Sequence, residues 1–351
     1  MKQINQKQIL KQWMGVSRLC YNYAVELLQN KKYSFYDLRK KVITRLEQSK
    51  PFTKLTPFDI RAGAVKDAHI AFQTAKDKSF STKKKHTVSF RSKKDNESSI
   101  FIPRATVKKQ AIYTSYLKKL KSSSPFESAK HDCRLSYKRH SGYYLLIPQA
   151  FSTEITENQG KFGKLIALDP GVRTFMTCYS QEACFEFGPR DIGKINRLQY
   201  HLRTLTGSRK RKAASRLRKK IKDLVTEVHW KVAKFLCQNY ENILIPEFRV
   251  SQMVKKEDRK LNKTTVKSML SWSHYAFRMR LIHQAKKYGT CIWVTNESYT
   301  SKTCTRCGEI NPTLGSSKTF NCGKCGLKIG RDVGGARNIY IRALVDSPVL
   351  V

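Results

Sequence analysis

The chain has 351 residues, of which 69 are Lys or Arg and 26 are Asp or Glu, for a formal net charge of +43. Self-repulsion on that scale is tolerated beside a polyanion, so nucleic acid is the expected partner; the basic residues run through the whole chain instead of gathering on one amphipathic segment, which argues against a membrane surface. There is no run of about 18 apolar residues and no apolar core in the opening MKQINQKQILKQWM, so a soluble intracellular protein of two or three folding units is expected.

In chain order, Ile9, Trp13, Val16, Cys20, Ala24 and Leu27 recur at steps of three and four, which predicts an amphipathic helix over 7–30. Further helices are expected from Ser34 to about Gln48 and, after the Thr56-Pro57 start signal, from Phe58 to about Lys78, making 1–80 a helical region. Residues 81–155 read as a β-rich module, with short strands at Thr87–Phe90 and Ser99–Ile102 and a hairpin of Cys133–Lys138 with Gly142–Ile147. The polar stretch 151–163 reads as a linker, with a domain boundary near 155–163. Beyond it come strands at Lys164–Leu168, Thr174–Tyr179 and Ala183–Phe187, a helical stretch Asp191–Asn239, a strand Asn242–Ile245, a helix Thr264–Tyr288 and a strand Thr290–Thr295. That order is the one found in an RNase H-like nuclease fold, although periodicity alone specifies only a mixed α/β domain.

Four of the ten cysteines form two CxxC pairs, Cys304/Cys307 and Cys322/Cys325, with fourteen residues between the pairs. Two such turns deliver four thiolates to one tetrahedral ion, with Gly308, Gly323 and Gly326 easing the wrap, and zinc is the expected metal. With all four positions filled by protein, the expected role is structural. The other six, Cys20, Cys133, Cys178, Cys184, Cys237 and Cys291, are scattered and read as thiols in a reducing compartment.

Acids stand where strands should end. Asp169 follows Leu165-Ile-Ala-Leu168 and precedes Pro170-Gly171, a place that suits a metal ligand and equally an ordinary turn residue. Asp332 precedes an expected helix from Val333, where the plain reading is an N-cap. Two-metal phosphodiester hydrolysis needs a third carboxylate, and either Glu247, after Ile243-Leu-Ile-Pro, or Glu297, after the Cys291–Asn296 run, is available. The tract 201–222 carries ten Lys or Arg and no acid. Its Arg209, Lys210, Arg211, Lys212, Arg216, Arg218, Lys219 and Lys220 are expected to contact phosphates, the alternative being a solvated helix face.

Taken together, LDPGVRTFMT, the IPEF strand end, NESYTSKTCTRCG, CGKCG and GRDVGGARNI resemble the TnpB family of transposon-associated RNA-guided DNA endonucleases and, more closely, its eukaryotic and giant-virus relatives called Fanzor. The match covers 164–343 well and 7–150 loosely, through Tyr21-Asn22, Ile102-Pro103 and Val107-Lys108. The resemblance implies a multidomain α+β protein: a helical recognition-like region 1–80, a β-barrel-like wedge 81–155, and a RuvC-type RNase H-like nuclease domain 164–351 with a zinc ribbon inserted at 300–329. It further implies a monomeric ribonucleoprotein with a guide RNA and a target DNA as partners, no membrane, a structural Zn2+ and catalytic Mg2+. Localisation would be nuclear in a eukaryotic host and cytoplasmic or nucleoid otherwise.

Under that resemblance Asp169 is the first catalytic acid and Asp332 the last. Aligning IPEF with the family's Glu-Asp-Leu motif puts Pro246 at the usual acidic position and Glu247 one residue beyond it, on the opposite face of the strand unless a bulge intervenes. Glu297 is therefore the expected third acid and Mg2+ ligand, with Glu247 the alternative. Three departures stand out: the chain starts almost inside the first helix, which suggests an incomplete barrel or a truncated copy; Gly334-Gly335 replaces a common Asn-Ala; and Pro246-Glu247 replaces Glu-Asp. Two other readings stay open, a nuclease-inactive RNA-guided DNA-binding protein and a zinc-ribbon nucleic-acid-binding factor.

Overall fold

The computed structural model describes residues 5–139, 141–150, 163–207, 209–248, 250–254, 262–315 and 317–346. The chain divides into two compact units, Met1–Ala150 and Phe151–Val351. The linker expected over 151–163 lies, except for Gly163, outside the described residues.

In the first unit α1 (Gln6–Asn30), α2 (Phe35–Ser49) and α3 (Phe58–Thr82) pack through Val16, Cys20, Ala24, Leu38, Val42, Ala64 and Val65. Asn5 and Ser34 cap the first two helices, each side-chain oxygen accepting a backbone N–H of the first turn. β1 (Glu97–Ile102) joins, after a ribbon of β2 (Val107–Lys108) and β3 (Ala111–Ile112) and the short α4 (Thr114–Leu117), with β4 (Cys133–Lys138) and β5 (Gly142–Leu146). The order β1-β4-β5 is antiparallel throughout. Among the described residues these strands form that sheet and the separate ribbon, and no closed barrel.

The strand expected at Thr87–Phe90 is unpaired chain. It leads into Arg91, whose N–H donates to Asn22 Oδ1 while Asn22 Nδ2 donates back to the Arg91 carbonyl. Arg91 also lies 3.7 Å over the Tyr21 ring and pairs with Asp67. Side chains of α1 and α3 thus hold this segment where a neighbouring strand would otherwise be needed.

The second unit is built on a five-stranded sheet. β6 (Gly163–Pro170), β7 (Met176–Tyr179) and β8 (Cys184–Phe187) form an antiparallel meander. α5 (Asp191–Thr204) and α6 (Arg211–Asn239) lead to β9 (Tyr240–Pro246), which pairs parallel with β6. After the short α7 (Val250–Met253), α8 (Lys263–Trp272) and α9 (His274–Tyr288) lead to β10 (Cys291–Thr295), parallel to β9. The sheet order is β10-β9-β6-β7-β8. β11 (Thr319–Asn321) and β12 (Lys328–Gly330) then make a small hairpin before α10 (Arg331–Asp346). Among the described residues no helix is long and apolar enough to cross a membrane.

The single helix expected over Thr264–Tyr288 is two helices, because Ser273 takes a left-handed conformation (φ 51°). The break is set by tertiary contacts of Trp272: its indole N–H donates to the Val172 carbonyl at 2.9 Å, and its own carbonyl lies 2.8 Å from His229 Nε2.

Alternation in the central strands sorts two cores. Ile166, Leu168, Ile243 and Ile245 face the helices α6 and α9, whereas Leu165, Ala167 and Leu244 face Ile339, Tyr340 and Ala343 of α10. Phe175 anchors the first core, fully buried among His229, Trp272, His274 and Phe277 at centroid distances of 4.9–5.4 Å. Replacing it with Ala is expected to cost about 3–5 kcal/mol, since four rings surround the cavity left behind. Urea unfolding followed by fluorescence should register a lower midpoint, and an unchanged midpoint would contradict this packing.

Candidate active site and metal centre

The parallel register sets the geometry of the site. Ala167, Leu244 and Trp293 stand in one cross-strand row; Pro246 and Thr295 pair in the next row on the same face, and Asp169 lies two residues past Ala167 on β6, opposite Thr177 of β7. Pairing runs without a bulge through Pro246 to Thr295, so Glu247 turns to the other face. There, exposed, it lines a small cavity with Phe248, His274 and Arg278, on the α9 side of the sheet. Glu297 lies two residues past Thr295, beyond the end of β10, and its charge acts on Asp169.

α10 crosses that face. Asp332 is the second residue of the helix, two positions past the N-cap position that the sequence suggested for it, and is exposed. Gly335, one turn on, allows the close approach: a Cβ there would lie 2.6 Å from Asp169 Oδ2. Asp332 and Glu297 both lie within electrostatic reach of Asp169. Burial pushes the Asp169 carboxyl up to about 8, the charges of Asp332 and Glu297 add to the rise, and Arg331 opposes it. Burial also holds Glu297 above the ordinary carboxylate range. In the row with Pro246, the Thr295 hydroxyl is buried without a hydrogen-bond partner among the described residues. A buried carboxylate surrounded by two more is costly when all are ionised, and oxygen-binding divalent cations such as Mg2+ are the natural counter-charge for such a donor set.

Between β10 and α10 the four cysteines come together. Cys304, Cys307, Cys322 and Cys325 place their sulfurs within 4.8 Å of one another, with Cys304–Cys325 and Cys307–Cys322 both at 3.6 Å. A tetrahedron with metal–sulfur bonds of about 2.3 Å has edges of about 3.8 Å, so the cluster fits one metal ion. Each CxxC closes in the same way: Gly308 N–H donates to the Cys304 carbonyl and Gly326 N–H to the Cys322 carbonyl, both at 3.0 Å. These two glycines have φ of 75° and 70°, whereas Gly323, also expected to help the wrap, does not have a positive φ. The N–H groups of Cys325 and Lys324 help draw the Cys322 thiol down to about 6, toward the thiolate a metal requires. Leu314 and Phe320 are the buried apolar residues of this segment beside Cys304 and Cys322, a core too small to fold it unaided.

The basic tract spans the turn before α6 and its first turns. Arg209, Lys210, Arg211, Lys212, Arg216, Arg218, Lys219 and Lys220 are all exposed, and Lys219 pairs with Asp223 at 2.7 Å. Apart from Ala214, the fully buried residues of α6 begin only at Val225, so this end of the helix stands away from the core.

Residues 274–339 match the family described as Cas12f1-like, TNB domain. TnpB-like protein L79 of Acanthamoeba polyphaga mimivirus is 27% identical over 95% of this chain and 70% of its own length. This similarity to a TnpB-like protein runs over nearly the whole chain. TnpB-like protein L770 of the same virus is 30% identical over 63% of this chain, a match that spans 45% of the longer relative. CRISPR-associated endodeoxyribonuclease Cas12f1 of Syntrophomonas palmitatica is 34% identical over 18% of this chain and 13% of its own length. Among solved structures, a Cas12f1–sgRNA–target DNA complex aligns over 95% of this chain and 94% of that chain, at 18% identity and a TM-score of 0.39.

Two features of this site were not anticipated from sequence: the close approach of Gly335 to Asp169, and the grip of α10 on the turn after Glu297, through Asn338 and Arg342. The paired glycines behave differently. A Cβ on Gly334 meets only Ile329 Cγ2 at 3.5 Å, an ordinary contact, so Gly334→Ala should gain about 1 kcal/mol of helix propensity and raise Tm by about 2–4 °C. Gly335→Ala drives a methyl into the Asp169 carboxyl and should lower Tm. Thermal melts of the two variants check this; equal gains would mean that α10 does not press on Asp169.

Proposed function

We propose that this chain is an RNA-guided DNA endonuclease of the TnpB family that hydrolyses phosphodiester bonds at Asp169, Glu297 and Asp332. The observation that supports the reading is that Glu297, beyond β10, and Asp332, on α10, both act electrostatically on Asp169 at the end of β6, whose carboxyl is pushed up to about 8 by burial and by these two neighbours. The sheet, with the antiparallel meander β6-β7-β8 on one side and β9 and β10 running parallel to β6 on the other, has the strand directions of an RNase H-like fold and supports the RuvC-type assignment.

Mg2+ held by these carboxylates would act as a Lewis acid, activating water and stabilising the leaving oxygen of the scissile phosphate. The protein's own part is positional. In this reading β6 holds Asp169, the chain beyond β10 supplies Glu297 in preference to Glu247, and α10 supplies Asp332. Arg331 adds one positive charge beside Asp169 and suits a neighbouring phosphate.

Zinc fits the four-thiolate cluster best, since sulfur donors in a closed tetrahedron favour it over harder cations. Its role here is structural, joining the β10 edge to α10 through the inserted ribbon. The exposed cations at the start of α6 would contact the phosphates of guide RNA or target DNA. Positive charge at a helix N-terminus opposes the helix dipole, and a bound polyanion removes that penalty. A monomeric ribonucleoprotein, acting in the nucleus of a eukaryotic host or with the nucleoid of a bacterial one, completes the proposal.

Purified protein reconstituted with RNA from its own locus and a matching DNA tests the assignment. Glu297→Gln is expected to reduce Mg2+-dependent cleavage by at least 100-fold while guide and target binding persist, and Glu247→Gln to cut within a few-fold of the parent. The reverse pattern would move the third acid to Glu247, and absence of Mg2+-dependent cleavage in the parent protein would remove the nuclease reading.

A further inference from the structure

The loop between β10 and the first zinc-site cysteine carries Glu297 on a stretch with no regular secondary structure. A carboxylate on such a stretch holds its place only if the backbone on either side of it is tied down. The ties come from one face of α10. Asn338 donates its side-chain amide to two carbonyls at once, Thr300 at 2.7 Å and Thr303 at 2.8 Å. One turn further along the same face, Arg342 donates to the Ser298 carbonyl at 3.1 Å. Within the loop, the Thr300 hydroxyl donates to the carbonyl of Glu297 itself at 2.9 Å, and the Thr300 N–H reaches the same oxygen at 3.2 Å.

The loop needs this support. Tyr299 sits at φ 64°, a conformation costly for a side chain of its size, and its ring is 68% exposed, so the residue's own packing does not hold it there. Two side-chain amide hydrogens are the most one Asn nitrogen has to give, and both are used on this turn. Asn is also a weak helix former, so its place in the middle of α10 costs helix stability that these bonds offset. The geometry has a further consequence. Thr303 immediately precedes Cys304, and Asn338 lies six residues, or about 9 Å of helix, beyond Asp332. One side chain therefore ties the turn after Glu297, the entrance to the four-cysteine cluster and the helix that presents Asp332.

We infer that Asn338 is a positioning residue for Glu297: by clamping the Thr300 and Thr303 carbonyls it sets the distance of the Glu297 carboxylate from Asp169 and Asp332, and with it the affinity of the site for divalent cations. The inference rests on the nuclease reading above, in which Glu297 is a Mg2+ ligand. Asn338 touches neither substrate nor metal and acts only through the turn. Thr300 is its partner in this role, as the residue that passes the constraint to the Glu297 backbone.

The test is a Mg2+ titration with two readouts, the rise in Tm of the nucleic-acid-free protein and the cleavage rate of the reconstituted complex. Asn338→Asp keeps the shape of the side chain but turns a donor into an acceptor facing two carbonyls. It should lower kcat 10- to 100-fold and raise the Mg2+ concentration for half-maximal effect several-fold in both readouts, with bound zinc and target affinity unchanged. Thr300→Val should act in the same direction more weakly, and Thr300→Ser, which keeps the hydroxyl, should behave like the parent. In a Glu297→Gln background, Asn338→Asp should bring no further change in the Mg2+-induced Tm rise. Parental Mg2+ dependence in Asn338→Asp and Thr300→Val would overturn the inference while leaving the nuclease reading intact. Loss of zinc accompanying every drop in rate would also overturn it, since Asn338 would then serve only to dock the ribbon. If Asn338→Asp does not fold, the Thr300 pair decides alone. If Glu297→Gln itself leaves both readouts unchanged, the assignment of Glu297 fails, and the inference falls with it.

Discussion

Like charges pressed together in a partly dry site are the constraint around which the second unit is arranged. Asp332 and Glu297 both oppose ionisation of Asp169, and burial raises the cost of ionising Asp169 and Glu297. No local preference would bring them together, so the energy must come from elsewhere in the fold. The sheet supplies most of it: Ile166, Leu168, Ile243 and Ile245 are buried against α6 and α9, fixing β6 and β9 in register. On the other face Ile339, Tyr340 and Ala343 hold α10 down on Leu165, Ala167 and Leu244. The apolar rows end where the acids begin, so burial of the former dictates the position of the latter.

The ribbon has a place in the same scheme. It occupies the chain between β10 and α10, the elements that flank Glu297 and Asp332, and its small core depends on the four-cysteine cluster. Glu297 is thus held between a strand end and the turn that carries the first cysteine pair, with α10 bonded to the loop that joins them. A chain with few acids concentrates three of them here, while exposed Lys and Arg cover the start of α6 on the same unit. Under the proposed nuclease reading the two charge patterns are complementary, since hydrolysis of a phosphodiester needs a basic surface to hold the polyanion and carboxylates to hold the cations.

Much of the framework was legible in the sequence because burial has a period. The helices of the first unit and the strands of the second lie within a few residues of where alternation and three-four spacing put them. The two CxxC turns were legible because the chemistry of four thiolates is written in their spacing. What could not be read depended on partners distant in sequence. Thr87–Phe90 has strand composition but no strand to pair with, and Ser273 breaks a helix without a Pro or Gly because Trp272 is bonded to Val172 and His229. Each acid alone is an ordinary turn or cap residue. The turn of Glu247 away from Asp169 follows only once β9 and β10 are paired, and the role of Gly335 only once α10 lies on Asp169. Asn338 left one faint trace, a poor helix former in mid-helix, that had no meaning without the loop it binds.

The central claim is that the three carboxylates form a cation site, and the pH dependence of metal stabilisation tests it most directly. An Asp whose folded-state value is raised to about 8 contributes stability that is fully present below its unfolded value near 4 and is lost as pH rises through about 8. Bound divalent cations favour the ionised form and should restore what is lost. Thermal melts of the nucleic-acid-free protein with and without Mg2+ should therefore show a larger Mg2+-induced rise in Tm at pH 8.5 than at pH 5.5, and Asp169→Asn should abolish the difference. An equal Mg2+ effect at both pH values, unchanged by Asp169→Asn, would contradict the account.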